Sequence, residues 1–349
     1  MLEEIREQPA ALEKTLRMGL RPAANLARAI ALKKPRTIVL AARGTSDNAA
    51  QFGRYLLEIA TGIPVSLAAP SVTTLYRAKL DFKDALIVAV SQSGESTDTN
   101  LVLERGREQG ALTVGITNEP ASSLAKLAEH VFFVRAGRER SVAATKTYTG
   151  QVMLLYLLAH ALGAKIAIDD LRRVPGWAAD ALKLEDEIAA RAERYRFMDQ
   201  AVVVGRGLNY ANAFEFALKM METCYVVAER FSSADFLHGP IAMVERNFPL
   251  FLFAPAGVTW DGTRDMLARL AALKAETLIF TDRSNREAAA HPRAIVIPAN
   301  IAARGARPAE LFTPIPYIIP AQIFAASLAA WKGLDPDRPR TLSKVTRTL

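Results

Sequence analysis

The chain has 349 residues, enough for two domains, and it is 50% hydrophobic and 23% charged, as globular proteins are. Its 44 Lys and Arg against 36 Asp and Glu leave a formal charge of +8, with no basic run interleaved with aromatics, so a nucleic-acid partner is not expected. The single cysteine, Cys224, excludes an intrachain disulfide, and the apolar helical pattern around it predicts a small core side chain.

Residues 1–7 are charged and amphipathic, unlike a signal peptide, and the strongest apolar run, residues 152–162, is too short to span a bilayer. A cytoplasmic protein without a membrane partner is expected. Residues 2–31 carry helical periodicity. Proline is tolerated only in the first turn of a helix, so Pro9 and Pro22 predict two or three short helices there. Residues 37–42 read as a strand closed by Arg43-Gly44-Thr45-Ser46, followed by a helix over about 49–60 and a short strand over 65–68. Residues 84–90 are a buried, β-branched strand that stops at Ser91-Gln92-Ser93-Gly94-Glu95-Ser96-Thr97. Residues 111–117 and 131–134 are two more strands. Strands alternating with helices of this length predict an α/β, doubly wound parallel sheet, whose ligands bind at the carboxyl ends of the strands. The turns at Ser46 and at Ser91–Ser96 both lie on that edge.

A turn between a buried strand and a helix gathers backbone N–H groups where the helix dipole favours an anion. Ser91, Ser93, Ser96, Thr97 and Gln92 add neutral donors, and no lysine follows the glycine as a nucleotide loop requires. The residues fit a single sugar-phosphate group, or an ordinary serine-rich turn with capping hydroxyls.

The chain then repeats itself. Residues 38–44 (IVLAARG) recur 163 positions on as 201–207 (AVVVGRG), and residues 86–94 (LIVAVSQSG) recur at the same offset as 249–257 (PLFLFAPAG). TVGIT at 113–117 matches TLIFT at 277–281, displaced by 164, and VFFV at 131–134 matches AIVI at 294–297, displaced by 163. Four strands in one order at nearly one offset predict two copies of one domain. Ser91 and Ser93 correspond to Ala254 and Ala256, so the second copy keeps the strand and loses the hydroxyls. A structural turn gives no reason for that asymmetry; a single anion site in the first copy does.

In the second copy Gly205-Arg206-Gly207 leads into a helix over 209–227. A lone GxG is weak evidence for a dinucleotide, and no cofactor is predicted. Glu215, Lys219 and Glu222 share one face of that helix, a pattern that is ordinarily an exposed, salt-bridged surface, with Phe214, Leu218 and Met221 as the apolar stripe beside it. His238 lies in a Gly-Pro turn, where exposure and titration near neutrality are expected. His130, His160 and His291 have no partners at metal-ligand spacing, so no metal is predicted, and His160 reads as a satisfied core residue. Residues 338–345 compose a short basic tail of the kind expected to be disordered.

Six stretches together resemble the sugar isomerase (SIS) family, most nearly the isomerase half of the glutamine:fructose-6-phosphate amidotransferases. They are Arg43-Gly44-Thr45-Ser46, Ser91-Gln92-Ser93-Gly94-Glu95-Ser96, Val142-Ala143-Ala144-Thr145-Lys146, Ala217-Leu218-Lys219-Met220-Met221-Glu222, Leu237-His238-Gly239-Pro240 and Pro339-Arg340-Thr341-Leu342-Ser343-Lys344. The resemblance covers nearly the whole chain. It implies two tandem flavodoxin-like SIS domains over residues 35–165 and 198–335, a helical segment over 1–34, linker helices over 166–197, and a tail over 336–349 that closes the active site.

The resemblance also implies roles. Ser46, Ser91, Gln92, Ser93 and Ser96 would hold the sugar phosphate, and Gly44, Thr45, Val142 and Ala144 would border the sugar. Glu222 would be the base that moves a proton between C1 and C2, and Lys219 would sit near the sugar hydroxyls. His238, contributed across a homodimer interface, would open and close the ring. Lys344 would form an imine with the open-chain ketose. Ser96 stands where the amidotransferases have threonine, and Ala144 where they have serine.

The residue types suit that chemistry. Aldose–ketose conversion needs a carboxylate tuned by its pocket, and a lysine that adds to a carbonyl must lose its proton, which a neighbouring cation such as Arg340 would assist. The phosphate grip supplies remote binding energy. The amidotransferases begin with a glutaminase domain whose catalytic cysteine follows the initiator methionine. Leu2 follows Met1 here, and the expectation is a stand-alone glucosamine-6-phosphate deaminase, a hydrolase releasing ammonia and fructose 6-phosphate. The alternatives are a deglycase or isomerase for another sugar phosphate such as fructosamine 6-phosphate, glucosamine 6-phosphate synthesis with free ammonia or a partner glutaminase, and a non-catalytic sugar-phosphate sensor.

Overall fold

A computed structural model describes residues 1–303, 305, 308–342 and 344. β1 (Thr37–Ala42), β2 (Val65–Leu67), β3 (Ala85–Val90), β4 (Leu112–Thr117) and β5 (His130–Phe133) form a parallel sheet in the order β2-β1-β3-β4-β5. β6 (Gln200–Gly205), β7 (Val227–Ser232), β8 (Pro249–Phe253), β9 (Glu276–Asp282) and β10 (Ala294–Ile297) form a second in the order β10-β9-β8-β6-β7. The two orders are the same when each sheet is numbered from its own first strand, and both are the flavodoxin-like order. The duplication read from the sequence is therefore a duplication of topology. Its alignment holds at single hydrogen bonds: Ser91 N–H donates to Ile116 O at 3.0 Å, and Ala254 N–H to Phe280 O at 2.9 Å.

The chain divides into two compact units. One comprises Glu7–Arg140, Ala144–Arg172 and the tail from Leu342; the other comprises Met1–Arg6, Ser141–Ala143 and Arg173–Thr341. In the first, β3 is buried along its whole length because helices cover both faces of the sheet. Ile87, Val102, Leu103 and Leu124 make the core on one side. The helices Gln8–Lys33 and Lys146–Ala161 pack together on the other. They pack so closely that a Cβ at Gly19 would lie 2.5 Å from Leu157 Cδ1.

That packing corrects the reading of Pro22. The helix breaks before Gln8, with Pro9 in the first turn as predicted, but Gln8–Lys33 then runs through Pro22 without interruption. Proline removes one backbone bond, whereas burial of Leu12, Leu16, Ala23 and Leu26 along one stripe holds 26 residues in a single helix.

In the second unit Phe216 meets Phe251, Phe280 and Phe324 edge-on, with ring centroids 5.2, 5.6 and 5.8 Å away. Phe324 belongs to Pro314–Trp331, an 18-residue apolar helix that is 89% buried, as a core helix is. Among the described residues it is the one helix long and apolar enough to cross a membrane, by length and composition. The helix expected over 209–227 ends at Cys224, where Tyr225 turns left-handed, and residues 227–232 form the edge strand β7. With Glu229 and Arg230 in it and only Ala228 buried, β7 carries neither the alternation nor the apolar run that marks a strand. Cys224 is buried as expected, its thiol donating to Ala325 O at 3.1 Å, and burial raises its pKa to about 11. His160 corrects another expectation: it sits exposed at the end of its helix, with Nδ1 2.9 Å from Ile166 O.

Gly205 ends β6 where the chain turns at once into the short 3-10 helix Gly207–Asn209. A Cβ there would lie 2.2 Å from the carbonyl oxygen of Asn209, a backbone atom that cannot move aside. Gly205→Ala is expected to cost about 3 kcal/mol, read as a lower urea midpoint.

Candidate active site

In the first unit the carboxyl ends of β1 and β3 lie side by side, at the point where the strand order reverses. At the end of β1, Gly44 takes a positive φ and caps the helix Thr45–Thr61, which buries Ser46 in its first turn; Ser46 Oγ accepts from Gln151 Nε2 at 2.9 Å. At the end of β3, the Ser91 hydroxyl accepts from Gly94 N–H at 3.1 Å, and Ser93 Oγ accepts from Glu95 N–H at 3.3 Å. Gly94 has φ +67°, and a Cβ there would strike Ser122. Ser96 precedes the helix Thr97–Glu108 with its hydroxyl 2.9 Å from Thr99 Oγ1. The first amides of that helix have no intrahelical acceptor.

Beside this turn opens a cavity of about 690 Å³. Gln92, Ser93 and Lys344 line it, whereas Ser46, Ser91 and Ser96 do not. Arg135, Arg138 and Lys14 add positive charge, and Glu95, Glu119 and Glu139 negative. The local sequence shows mostly neutral donors here, because these cations lie far along the chain from the serines and carry no local pattern.

Lys344 Nζ donates to Glu139 Oε2 at 2.9 Å, and the Glu139 side chain is fully buried. Thr147 Oγ1 also donates to Glu139, at 2.6 Å, as do the amides of Thr145 and Thr147. Burial pushes the Glu139 carboxyl up, but Lys344 and these donors outweigh it, and its pKa lies below the ordinary glutamate value. Glu139 therefore stabilises the fold at pH above its unfolded pKa, and that contribution is lost as pH falls through its folded value. Glu139→Gln is expected to lower the urea midpoint at pH 7 and to flatten its decline between pH 5 and 3. Ser343 and residues 345–349 lie outside the described residues. The rest of the basic tail is anchored: Arg340 stands over the Tyr225 ring at 4.5 Å, and its amide donates to Tyr225 Oη at 2.8 Å.

In the second unit the helix Tyr210–Cys224 carries the three charged residues, and they are not the exposed face that the spacing suggests. The side chains of Glu215 and Lys219 are fully buried, and that of Glu222 is 22% exposed. Lys219 Nζ donates to Glu222 Oε2 at 2.6 Å and lies 3.4 Å from Glu215 Oε1. Burial opposes the Lys219 ammonium, but the two carboxylates more than offset it, so its pKa is raised. The result is one inner carboxylate, one cation, and one carboxylate that reaches solvent. Ion pairs of this depth are strongly context-dependent, and their desolvation must be met by partners of both signs. His238 follows the helix Ser233–Leu237 and is exposed, as its Gly-Pro turn predicts. Val142 and Ala144 are half-buried.

The SIS domain family matches residues 31–161 and 197–330. A glutamine–fructose-6-phosphate aminotransferase [isomerizing] of Pyrococcus horikoshii is 34% identical over 351 residues, covering 99% of this chain and 57% of that protein. The chain thus spans little more than half the length of the curated relatives it matches. The C-terminal domain of the glucosamine-fructose-6-phosphate aminotransferase of Francisella tularensis superposes with a TM-score of 0.86 at 30% identity, over 97% of this chain and 98% of that one. A glucosamine-6-phosphate deaminase of Thermotoga maritima superposes with a TM-score of 0.78 at 20% identity over 99% of both chains, a likeness of fold.

Proposed function

Since the chain belongs to the sugar isomerase (SIS) family, we propose that it is a sugar-phosphate isomerase that acts on glucosamine 6-phosphate and releases fructose 6-phosphate and ammonia. The observation that carries this reading is the Glu215–Lys219–Glu222 cluster, in which a single carboxylate reaches solvent while its cation and second carboxylate are buried. A binding protein has no use for such a group; a proton transfer does. The serine turn holds the phosphate through hydroxyls and helix amides, and Gln92, Ser93 and the cations of the adjoining cavity complete the grip. Glu222 takes the proton from C2 of the open-chain amino sugar and returns it to C1. The resulting ketimine adds water, and the C–N bond breaks to give the ketose and ammonia. His238 exchanges the ring-opening proton from a partner copy in a homodimer. In the reverse direction Lys344 leaves Glu139, gives up its proton and condenses with the C2 carbonyl of the ketose, expelling water, and ammonia then displaces the lysine from that imine to give the ketimine.

The relatives are named for aminotransfer to fructose 6-phosphate, which favours a second reading: the same proton transfer run toward glucosamine 6-phosphate. One assay separates the two. Purified protein given glucosamine 6-phosphate is expected to release ammonia and fructose 6-phosphate in equal amounts. Given fructose 6-phosphate and ammonium, it is expected to form glucosamine 6-phosphate more slowly; the opposite preference selects the second reading. Binding without turnover in either direction would overturn both.

A further inference from the structure

The second unit contains its own cavity, of about 680 Å³, at the carboxyl edge of β9 and β10. It stands in the second sheet where the 690 Å³ cavity stands in the first. Asn118, just after β4, tethers the segment beyond β5 through Ala136 N–H at 3.0 Å. Asp282, at the end of β9, does the same beyond β10 through Ile301 N–H at 3.4 Å. The two turns differ in charge. Glu119 follows Asn118, whereas Arg283 follows Asp282. At the 163-residue offset, Glu95 corresponds to Val258 and Glu139 to Ala302. None of the three carboxylates of the first cavity has a carboxylate counterpart in the second.

Arg283, Arg286 and Arg173 line this cavity, with Asp180 as its one acid. Asp180 is engaged by Lys183 at 2.7 Å. Among the described residues no carboxylate lies within ion-pair distance of Arg283 or Arg286. The walls are fixed. Tyr317 Oη and Ser284 N–H each donate to the buried Asp282 at 2.6 Å, which holds the arginine-bearing turn. Trp177 is 7% exposed, packs against Phe312 with centroids 6.1 Å apart, and lies under Arg173 at 4.7 Å. Unpaired guanidiniums around one rigid concavity are an arrangement that recognises phosphate by forked hydrogen bonds.

We propose that this cavity is a second anion site, separate from the serine turn, that binds a small phosphate monoester through Arg283 and Arg286. It does not depend on the catalytic reading, since none of the residues that line it has a part in the proposed reaction. Trp177 supplies the probe. Inorganic phosphate and glucose 6-phosphate are titrated against the full chain by calorimetry and tryptophan fluorescence. Two equivalents of glucose 6-phosphate are expected, with a fluorescence change that Trp177→Phe removes. Arg283→Glu/Arg286→Glu should abolish one equivalent and that change, and the milder Arg283→Gln/Arg286→Gln should weaken the site about tenfold or more without altering the fold. Ser91→Ala/Ser93→Ala should leave the Trp177 response intact while weakening the other equivalent. An unchanged stoichiometry and affinity in both arginine variants would overturn the site, and binding of inorganic phosphate but not glucose 6-phosphate would overturn its assignment to an ester.

Discussion

Glu222→Gln is expected to lower turnover of glucosamine 6-phosphate by roughly 10²–10⁴-fold, the range that positioned general bases supply. The amide keeps the size of the carboxylate and loses its basicity. Stability should change little, because Lys219 retains the buried Glu215 3.4 Å away and the replaced group reaches solvent. Binding of the phosphate should also persist, since the serine turn belongs to the other unit and keeps its own hydrogen bonds. The loss should therefore fall on kcat and leave KM nearly unchanged. Steady-state assay of ammonia release, paired with calorimetric titration of the sugar phosphate, reads both parts. Activity within a few-fold of the unaltered protein would take Glu222 out of the proposed role.

Lys219→Met is expected to be the most damaging single substitution to the fold in this helix. The side chain is fully buried between two carboxylates, one of them fully buried as well. Methionine fills a similar volume but leaves Glu215 without this cation in a low-dielectric interior, at a cost of about 3–5 kcal/mol. Part of that cost disappears when the carboxylate becomes neutral. Lys219→Met/Glu215→Gln should accordingly recover much of the stability, and the urea midpoints of the two variants measure the coupling. If the single and double variants unfolded together near the unaltered protein, the buried pair would carry no weight in the fold. Activity is expected to be lost in both, since each removes the partner of Glu222 at 2.6 Å.

The architecture was legible because its signals are local. Apolar runs of four to seven residues, closed by glycine and hydroxyl turns, marked nine of the ten strands and exposed the duplication. Their order alone places the serine turn at the carboxyl edge of a sheet. Edge strand β7 escaped because Glu229 and Arg230 break its pattern. The uninterrupted helix through Pro22 escaped because the packing that holds it together comes from a helix more than a hundred residues away in sequence.

The candidate site residues divide in the same way. Residue types and spacing were enough to single out the turn at Ser91 and Ser93 and to show that the second copy had lost its hydroxyls, whereas the roles expected of Glu222 and His238 came only from the resemblance to the SIS family. Spacing alone made Glu215, Lys219 and Glu222 a solvated face, because periodicity says which side of a helix is charged and not what comes to lie over it. Burial of Lys219, the pairing of Lys344 with Glu139 across 205 residues, and the gathering of Arg135, Arg138 and Lys14 at one cavity were decided by tertiary structure. Charges attract through space, and the chain between them leaves no mark of the distance it will close.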